Sequence, residues 1–403
     1  MTGHTIDHLI ATIAFIGAIL LFIGLFTQTL QAAVLYQQNR HVALKASDLL
    51  DNILLSPGFP YDWGEGNTTL SCFGLQQHGV SGYVLSSFAL MRLTALFGEP
   101  VEYPRDSGKW YNNVSMGSGG YLFIPLSDSI NYETASRLLG INDTYGFQLS
   151  ITPIVKVSIS ENQSNPLTLK VEVEGPGFPL SGAALSYYLY QTSKGSLMLS
   201  TGTTQTDSSG VAYLNFTFDG ASETYTIVAY ARLSGLLGLG YYSHQKFTQG
   251  NGVMPFVVDY EDGTVYLAHS WDVQDQGTPV PEYKFNATFF ILTEDFEFKE
   301  WPIDNSTGHL NYGSKNYEVT TLPVARPGFL LVTYWTAGQY GMSIMPWGIG
   351  TLAVSVFFGG NPAGNVWVAT DFRQVTVSQM AYQAKIACWS LQGYQTSKPS
   401  GRW

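Results

Sequence analysis

Eighteen consecutive residues near the N-terminus, Leu9 to Phe26 (LIATIAFIGAILLFIGLF), are apolar, Gly or Thr and carry no charge. That length is the lower limit for a helix that crosses a hydrocarbon layer. A cleaved secretory signal is the rival reading, with small residues at Gln31-Ala32-Ala33, but the run has no basic segment before it and is longer than the usual signal core. The expectation is an uncleaved anchor that meets membrane lipid through residues 9–26.

No Pro or Gly interrupts Thr27 to Leu55, and apolar residues recur at Leu30, Val34, Val42, Ala46, Leu49, Leu50 and Ile53. This spacing predicts that the helix continues out of the membrane until Pro57-Gly58 stops it, over about 50 residues and 75 Å. A helix that is half apolar and half amphipathic, feeding a β-rich body, resembles the N-terminal helix of archaeal type IV pilins and pilin-like proteins across Thr5 to Pro60. The resemblance implies that the apolar half packs with other subunits in a filament core. It departs from that family where a basic leader ending at Gly is usual, because Gly3 follows only Met1 and Thr2. Asp7 matches the acidic residue near the start of a pilin helix, although the helix dipole explains it equally.

Charged residues make up only 12% of the 403, while Gly reaches 42 and aromatic residues 14%, so strands should dominate after the helix. The net charge of −11 and the scattered Lys and Arg exclude nucleic acid as a partner. Arg40 and Lys45 follow the span, and by the positive-inside rule alone they would place the bulk in the cytoplasm. The sequons argue the other way. Seven of 17 asparagines (Asn67, Asn113, Asn142, Asn162, Asn215, Asn286, Asn305) sit in N-x-Ser/Thr, where composition would give about three. The bulk is therefore expected outside the cell, glycosylated at some of these candidates.

The sequence divides into residues 1–55, the transmembrane and amphipathic helix; 56–160, a small α+β region; 161–249, a β-sandwich; 250–392, a second β-domain; and 393–403, a tail. In the α+β region, Gly82 to Leu96 and Asn131 to Leu139 have helical spacing, Gly140 suits a helix C-terminus, and Gly146 to Ile159 alternates like one strand. The block 161–249 has six strand-like runs at short spacing. Its turn Pro179-Leu-Ser-Gly-Ala, the segment Thr206-Asp-Ser-Ser-Gly-Val-Ala and the run Tyr225-Thr-Ile-Val-Ala-Tyr-Ala resemble bacterial Ig-like modules of invasin-type surface proteins. The resemblance implies a spacer or adhesive unit whose Asp-x-x-Gly turn organises a hairpin. In the last block Arg373 to Trp389 is ambiguous, since Val375 and Val377 alternate while Met-Ala-Tyr-Gln-Ala-Lys also suits a helix; it is read as a strand.

The fold class expected is mainly β with a long N-terminal helix. No catalytic, cofactor-binding or metal-binding residue is assigned, and no cofactor. The acidic groups Asp259/Glu261/Asp262 and Glu294/Asp295/Glu297 invite acid–base or calcium chemistry, but each also fits a hairpin end or a solvated strand face. His78, His244, His269 and His309 show no metal-ligand spacing. Trp271, Trp301, Trp335, Trp347 and Trp367 suit either a sugar platform or core packing. Cys72 and Cys388 either pair, closing a loop of roughly 300 residues worth about 5 kcal/mol at most, or stay as unpaired buried thiols. The functional expectation is a membrane-anchored surface protein that self-associates or binds other surface subunits through its helix, acting in filament assembly or adhesion. The alternative is an anchored polysaccharide-binding protein or glycan-active enzyme using residues 250–392, with glycan as partner.

Overall fold

The computed structural model describes residues 3–66, 69–94, 100–115, 121–193, 196–246, 252–270, 282–293, 295, 297–311, 317–324, 326–336, 339–348, 355–362, 364 and 366–391. The tail 393–403 lies outside them. Helix Gly3–Leu55 is unbroken for 53 residues, about 80 Å at 1.5 Å per residue. In its last four turns Val42, Ala46, Leu49, Leu50, Ile53 and Leu54 are buried; steps of three and four residues place them on one face. Burying each of the larger side chains contributes on the order of 2 kcal/mol.

That face packs on a five-stranded sheet ordered Val84–Leu85, Ala369–Val377, Met380–Ser390, Tyr145–Pro153, Val356–Gly359, touching the second and third of these strands. The first pair is parallel and the others antiparallel. The single strand expected over 373–389 is thus a hairpin. Its turn residues Ser378 and Gln379 both have positive φ, +44° and +68°, the backbone of a tight turn that matches strand twist. Neither residue is Gly, Asn or Asp, so the turn left no mark in the sequence.

The alternation over 146–159 also hides a break. Tyr145–Pro153 belongs to the helix-docking sheet, whereas Lys156–Gln163 opens a β-sandwich. One face of that sandwich is Ser196–Gln205, Ala184–Ser193, Thr224–Leu233 and Leu236–His244. The other is Val211–Asn215, Thr168–Gly175 and Lys156–Gln163, with Phe178–Pro179 on its edge. Leu169, Val171 and Val173 meet Leu185, Leu189, Ile227 and Ala229 in the core. Gly238 and Gly240 are required here, because a Cβ on either would lie 2.3 Å from the carbonyl oxygen of Val155 or Val157. The expected Asp-x-x-Gly turn is present. Asp207 Oδ1 accepts from Ser209 N–H at 2.8 Å, Ser209 Oγ at 2.7 Å and Val211 N–H at 3.0 Å, and Gly210 takes φ +75°.

A second sandwich draws on both remaining blocks. Its six-stranded sheet runs Tyr317–Thr321, Thr264–His269, Val253–Asp259, Tyr121–Pro125, Trp110–Ser115, Val101–Glu102. The facing sheet runs Phe298–Trp301, Tyr283–Leu292, Gly328–Thr336, Gln339–Trp347, with Thr307–Leu310 also paired to Tyr283–Leu292. Residues 56–160 therefore do not form a unit of their own. Their strands split between this sandwich and the docking sheet, and the last strands of 250–392 leave for the docking sheet as well. Of the two short helices, Ser87–Thr94 adds Phe88 and Met91 to the second core. Tyr132–Leu138 is capped by Asn131, whose Oδ1 accepts from Thr134 N–H at 2.8 Å, and ends at Gly140 with φ +66°.

The Ig-like sandwich is not an outward spacer, because its Ala184-to-Leu233 face is packed on the second sandwich. Tyr190 contacts Phe290 and Phe329 with ring centroids 4.8 and 5.8 Å apart. Gln245 bonds both the carbonyl and the N–H of Met342, and Thr224 Oγ1 donates to Tyr340 O at 3.1 Å.

Replacing the exposed Gln379 by Gly removes the left-handed strain of a side chain and is expected to raise stability in urea unfolding by about 0.5 kcal/mol; a loss would contradict the turn. The bonds from Ser209, with the Val211 N–H, lower the Asp207 pKa below its ordinary value. Its contribution is present above the unfolded aspartate value and is lost as pH falls through the lower folded value. Asp207→Asn should flatten that acid limb in a pH series of thermal unfolding.

Candidate functional site

The feature most clearly left without a partner in the head is the first half of the long helix. From Leu9 to Tyr36 every residue is exposed, including Phe15 at 67%, Leu21 at 71% and Phe22 at 70%. The stretch is long and apolar enough to cross a membrane, and none of it is covered by the rest of the chain. At 1.5 Å per residue it is about 40 Å long, enough for a bilayer core of about 30 Å. Its polar edge is internally satisfied. Thr27 Oγ1 donates to Ile23 O and Thr29 Oγ1 to Leu25 O, both at 2.8 Å, so neither hydroxyl needs water.

Beside the apolar stripe, an ionic cluster joins this helix to the docking sheet. Arg373, on Ala369–Val377, places Nε 3.0 Å from Asp51 Oδ1 and Nη2 3.1 Å from Oδ2 on the helix. Nη2 also donates to Ser47 Oγ at 3.0 Å, and Nη1 lies 2.9 Å from Asp371 Oδ2. Tyr83 donates its hydroxyl to Asp51 Oδ1 at 3.0 Å. The Asp51 carboxylate beside it raises the Arg373 pKa, and partial burial does not offset this. Burial alone would raise Asp371, but bonds from Ser47, the Phe372 N–H and Arg373 hold it below its ordinary value. Nothing in the sequence marked the Asp51 to Arg373 pairing, since the partners are over three hundred residues apart and each is a common surface residue type.

The residues singled out from the last block do not converge. Asp259 Oδ1 accepts from the N–H groups of Glu261 and Asp262 at 2.8 and 3.2 Å, which is hairpin-end chemistry. Glu297 is exposed and lies 4.0 Å from Lys299; Asp295 is exposed too, while Glu294 falls outside the described residues. Trp347 is wholly buried and donates Nε1–H to Pro323 O. Trp301 lies under the Arg326 guanidinium at 4.5 Å. Trp335 is half-buried, Trp367 is exposed, and Trp271 lies outside the described residues. Among the described residues they form no sugar platform.

The four histidines are also apart. His78 stacks on Tyr61, His244 stacks on Tyr225 and lies 3.7 Å from a Glu161 oxygen, and His309 bonds Glu282. His269 is buried, which pushes its pKa down to about 4. Among the described residues no group of three or more His, Cys, Asp or Glu is placed to hold a metal. Cys72 and Cys388 are not joined: the first is an exposed free thiol and the second is free and buried in the docking sheet. Burial pushes the Cys388 thiol up to about 11 despite the Lys45 charge.

Asn142, Asn162, Asn215 and Asn305 are exposed, Asn113 and Asn286 half-buried, and Asn67 outside the described residues. Asn305 donates its side-chain amide to Val319 O at 2.7 Å, a bond that a glycan there would have to replace.

No family model matches the chain, and no curated protein matches it. Among solved structures it is similar to the D0-D1 domain of Intimin, at 14% identity over 52% of this chain and 98% of that one, with a TM-score of 0.20. The class assigned rests on the topology above: a mainly β protein with an Ig-like sandwich and a long, apolar N-terminal helix.

Asp51→Ala removes the forked pair, whose side chains are 22% and 36% exposed and so partly screened. The expected cost is about 1–2 kcal/mol in urea unfolding of the full chain in detergent. Arg373→Lys should recover only part of what Arg373→Ala loses, because an ammonium cannot form the fork.

Proposed function

We propose that this chain is a membrane-anchored, extracytoplasmic surface protein of pilin-like build, acting in filament assembly or adhesion through packing and binding. The observation that carries the reading is the bare apolar shaft running without a break into a helical half locked onto the head. A flexible tether would need no such lock. A rigid shaft suits a subunit whose head must keep one orientation to the membrane or to neighbouring shafts. A signal sequence is the other use of such a segment, and the intact mass of the native protein separates the two. The exposed sequon asparagines support extracytoplasmic placement. The burial of Trp347 and the cover of Trp301 by Arg326 weigh against the polysaccharide reading of residues 250–392.

The cysteines give the test. A membrane-impermeant maleimide applied to intact cells is expected to modify Cys72 and leave Cys388 untouched until denaturation. Protection of Cys72 until lysis would put the head in the cytoplasm. Intact mass of the native protein should retain residues 9–33, and its loss would mean a cleaved signal. Electron microscopy of native surfaces is expected to show the chain in fibres; recovery only as dispersed monomers would remove the filament part and leave the anchored protein.

A further inference from the structure

A cleft of about 930 Å³ opens where the end of helix Ser87–Thr94, the short turn Leu126–Asp128, strand Trp110–Ser115 and helix Tyr132–Leu138 meet. It lies apart from the anchor; Val258, the residue before Asp259, lines it, and the Asp259 charge acts on Asp128. Its charge is unlike that of the chain. In a molecule with a net charge of −11, three cations, Arg92, Lys109 and Arg137, line this cleft against one carboxylate, Asp128, among the described residues.

Arg92 is the most informative of them, being only 2% exposed. Its guanidinium donates to the carbonyl oxygens of Asp128 and Gly66 and lies 5.2 Å from the centre of the Trp63 ring. Among the described residues no carboxylate pairs with it in a salt bridge. Burial lowers its pKa, with Tyr260 and Asp128 acting the other way. A buried guanidinium bonded to carbonyls and lying over a ring is a costly arrangement; the Asp128 charge offsets part of its positive field, and the remainder acts on the cleft together with Lys109 and Arg137. Lys109 and Arg137 are exposed beside it. The remaining lining adds a second chemistry. Trp110 is 46% exposed, a large ring at the edge of a polar cavity that Ser127, Ser129 and Thr134 also line, with the Ser127 and Ser129 hydroxyls donating to Asp128 Oδ1 and Leu126 O.

We propose that this cleft binds an acidic oligosaccharide, with a uronate carboxylate facing the Arg92, Lys109 and Arg137 cations and a sugar face stacked on Trp110. Cations without an aromatic face would suit any small anion, and an aromatic face without cations would suit a neutral sugar. The two together select a ring that carries a carboxylate, and the volume holds two or three sugar units. The proposal rests on the surface reading above only for where the ligand would come from. Binding by purified protein tests the cleft alone, so its failure is distinct from a failure of the topology test.

The probe is trigalacturonate, titrated calorimetrically into the full chain in detergent, with neutral galactotriose and triglutamate as comparisons. Trigalacturonate is expected to bind with a dissociation constant on the order of 0.1–1 mM, more weakly as salt rises. Trp110→Ala should weaken it by about 10-fold. Lys109→Ala and Arg137→Ala should each weaken it by about 3-fold and reduce its salt dependence. These three side chains are exposed, and unchanged circular dichroism and melting would show that the variants fold. Absence of binding at about 10 mM, equal binding of galactotriose, or full binding by all three variants would overturn the site. Equal or tighter binding of triglutamate would overturn the saccharide assignment in favour of an acidic peptide.

Discussion

The contact between the helix stripe from Val42 to Leu54 and the hairpin Ala369–Val377/Met380–Ser390 is what makes this chain one object. Apolar burial supplies most of its strength, but burial alone is indifferent to small slips along the axis. The forked pair between Arg373 and Asp51 removes that indifference. A slip of one helical turn, about 5.4 Å, would set Ser47 or Leu55 where Asp51 stands. Neither can accept both arms of the guanidinium. The lock therefore fixes both the rotation and the height of the shaft relative to the head.

What the sequence revealed followed from how local each signal is. The helix was legible from its charge-free run and from the absence of breakers up to Pro57. The Ig-like strands were legible because alternation and turn chemistry such as Asp207 to Gly210 act within a few residues. Domain boundaries were not legible, since Tyr145–Pro153 and Lys156–Gln163 read as one alternating run although they serve different sheets. The hairpin at Ser378-Gln379 was missed because its backbone is held by the sheet and not by turn residues. Site residues fared worst. The acidic groups and tryptophans attracted attention by proximity in sequence or by residue type, while the Asp51 to Arg373 pair and the cleft around Arg92 are assembled from distant segments.

The two sandwiches and the docking sheet share packing as well as chain. Tyr190 and Val228 of the Ig-like sandwich and Phe290, Phe329 and Met342 of the second sandwich lie in the same hydrophobic cluster as the helix stripe. Motion of the Ig-like sandwich against its neighbour would open that cluster, so the head should move as a whole. This stiffness places the Arg92 cleft in a fixed relation to the shaft, which matters for any contact made at a surface.

The docking sheet also joins the two ends of a process in time. The helix leaves the ribosome more than three hundred residues before the hairpin that covers its stripe, which is made of residues 369–390. Throughout synthesis the stripe has no cover from its final partner, and the head cannot close. A shaft already held in the bilayer would keep the growing chain at a two-dimensional surface during that wait, away from other unfinished copies in bulk solution. Completion of strand Met380–Ser390, and not emergence of the helix, is then the event that closes the head.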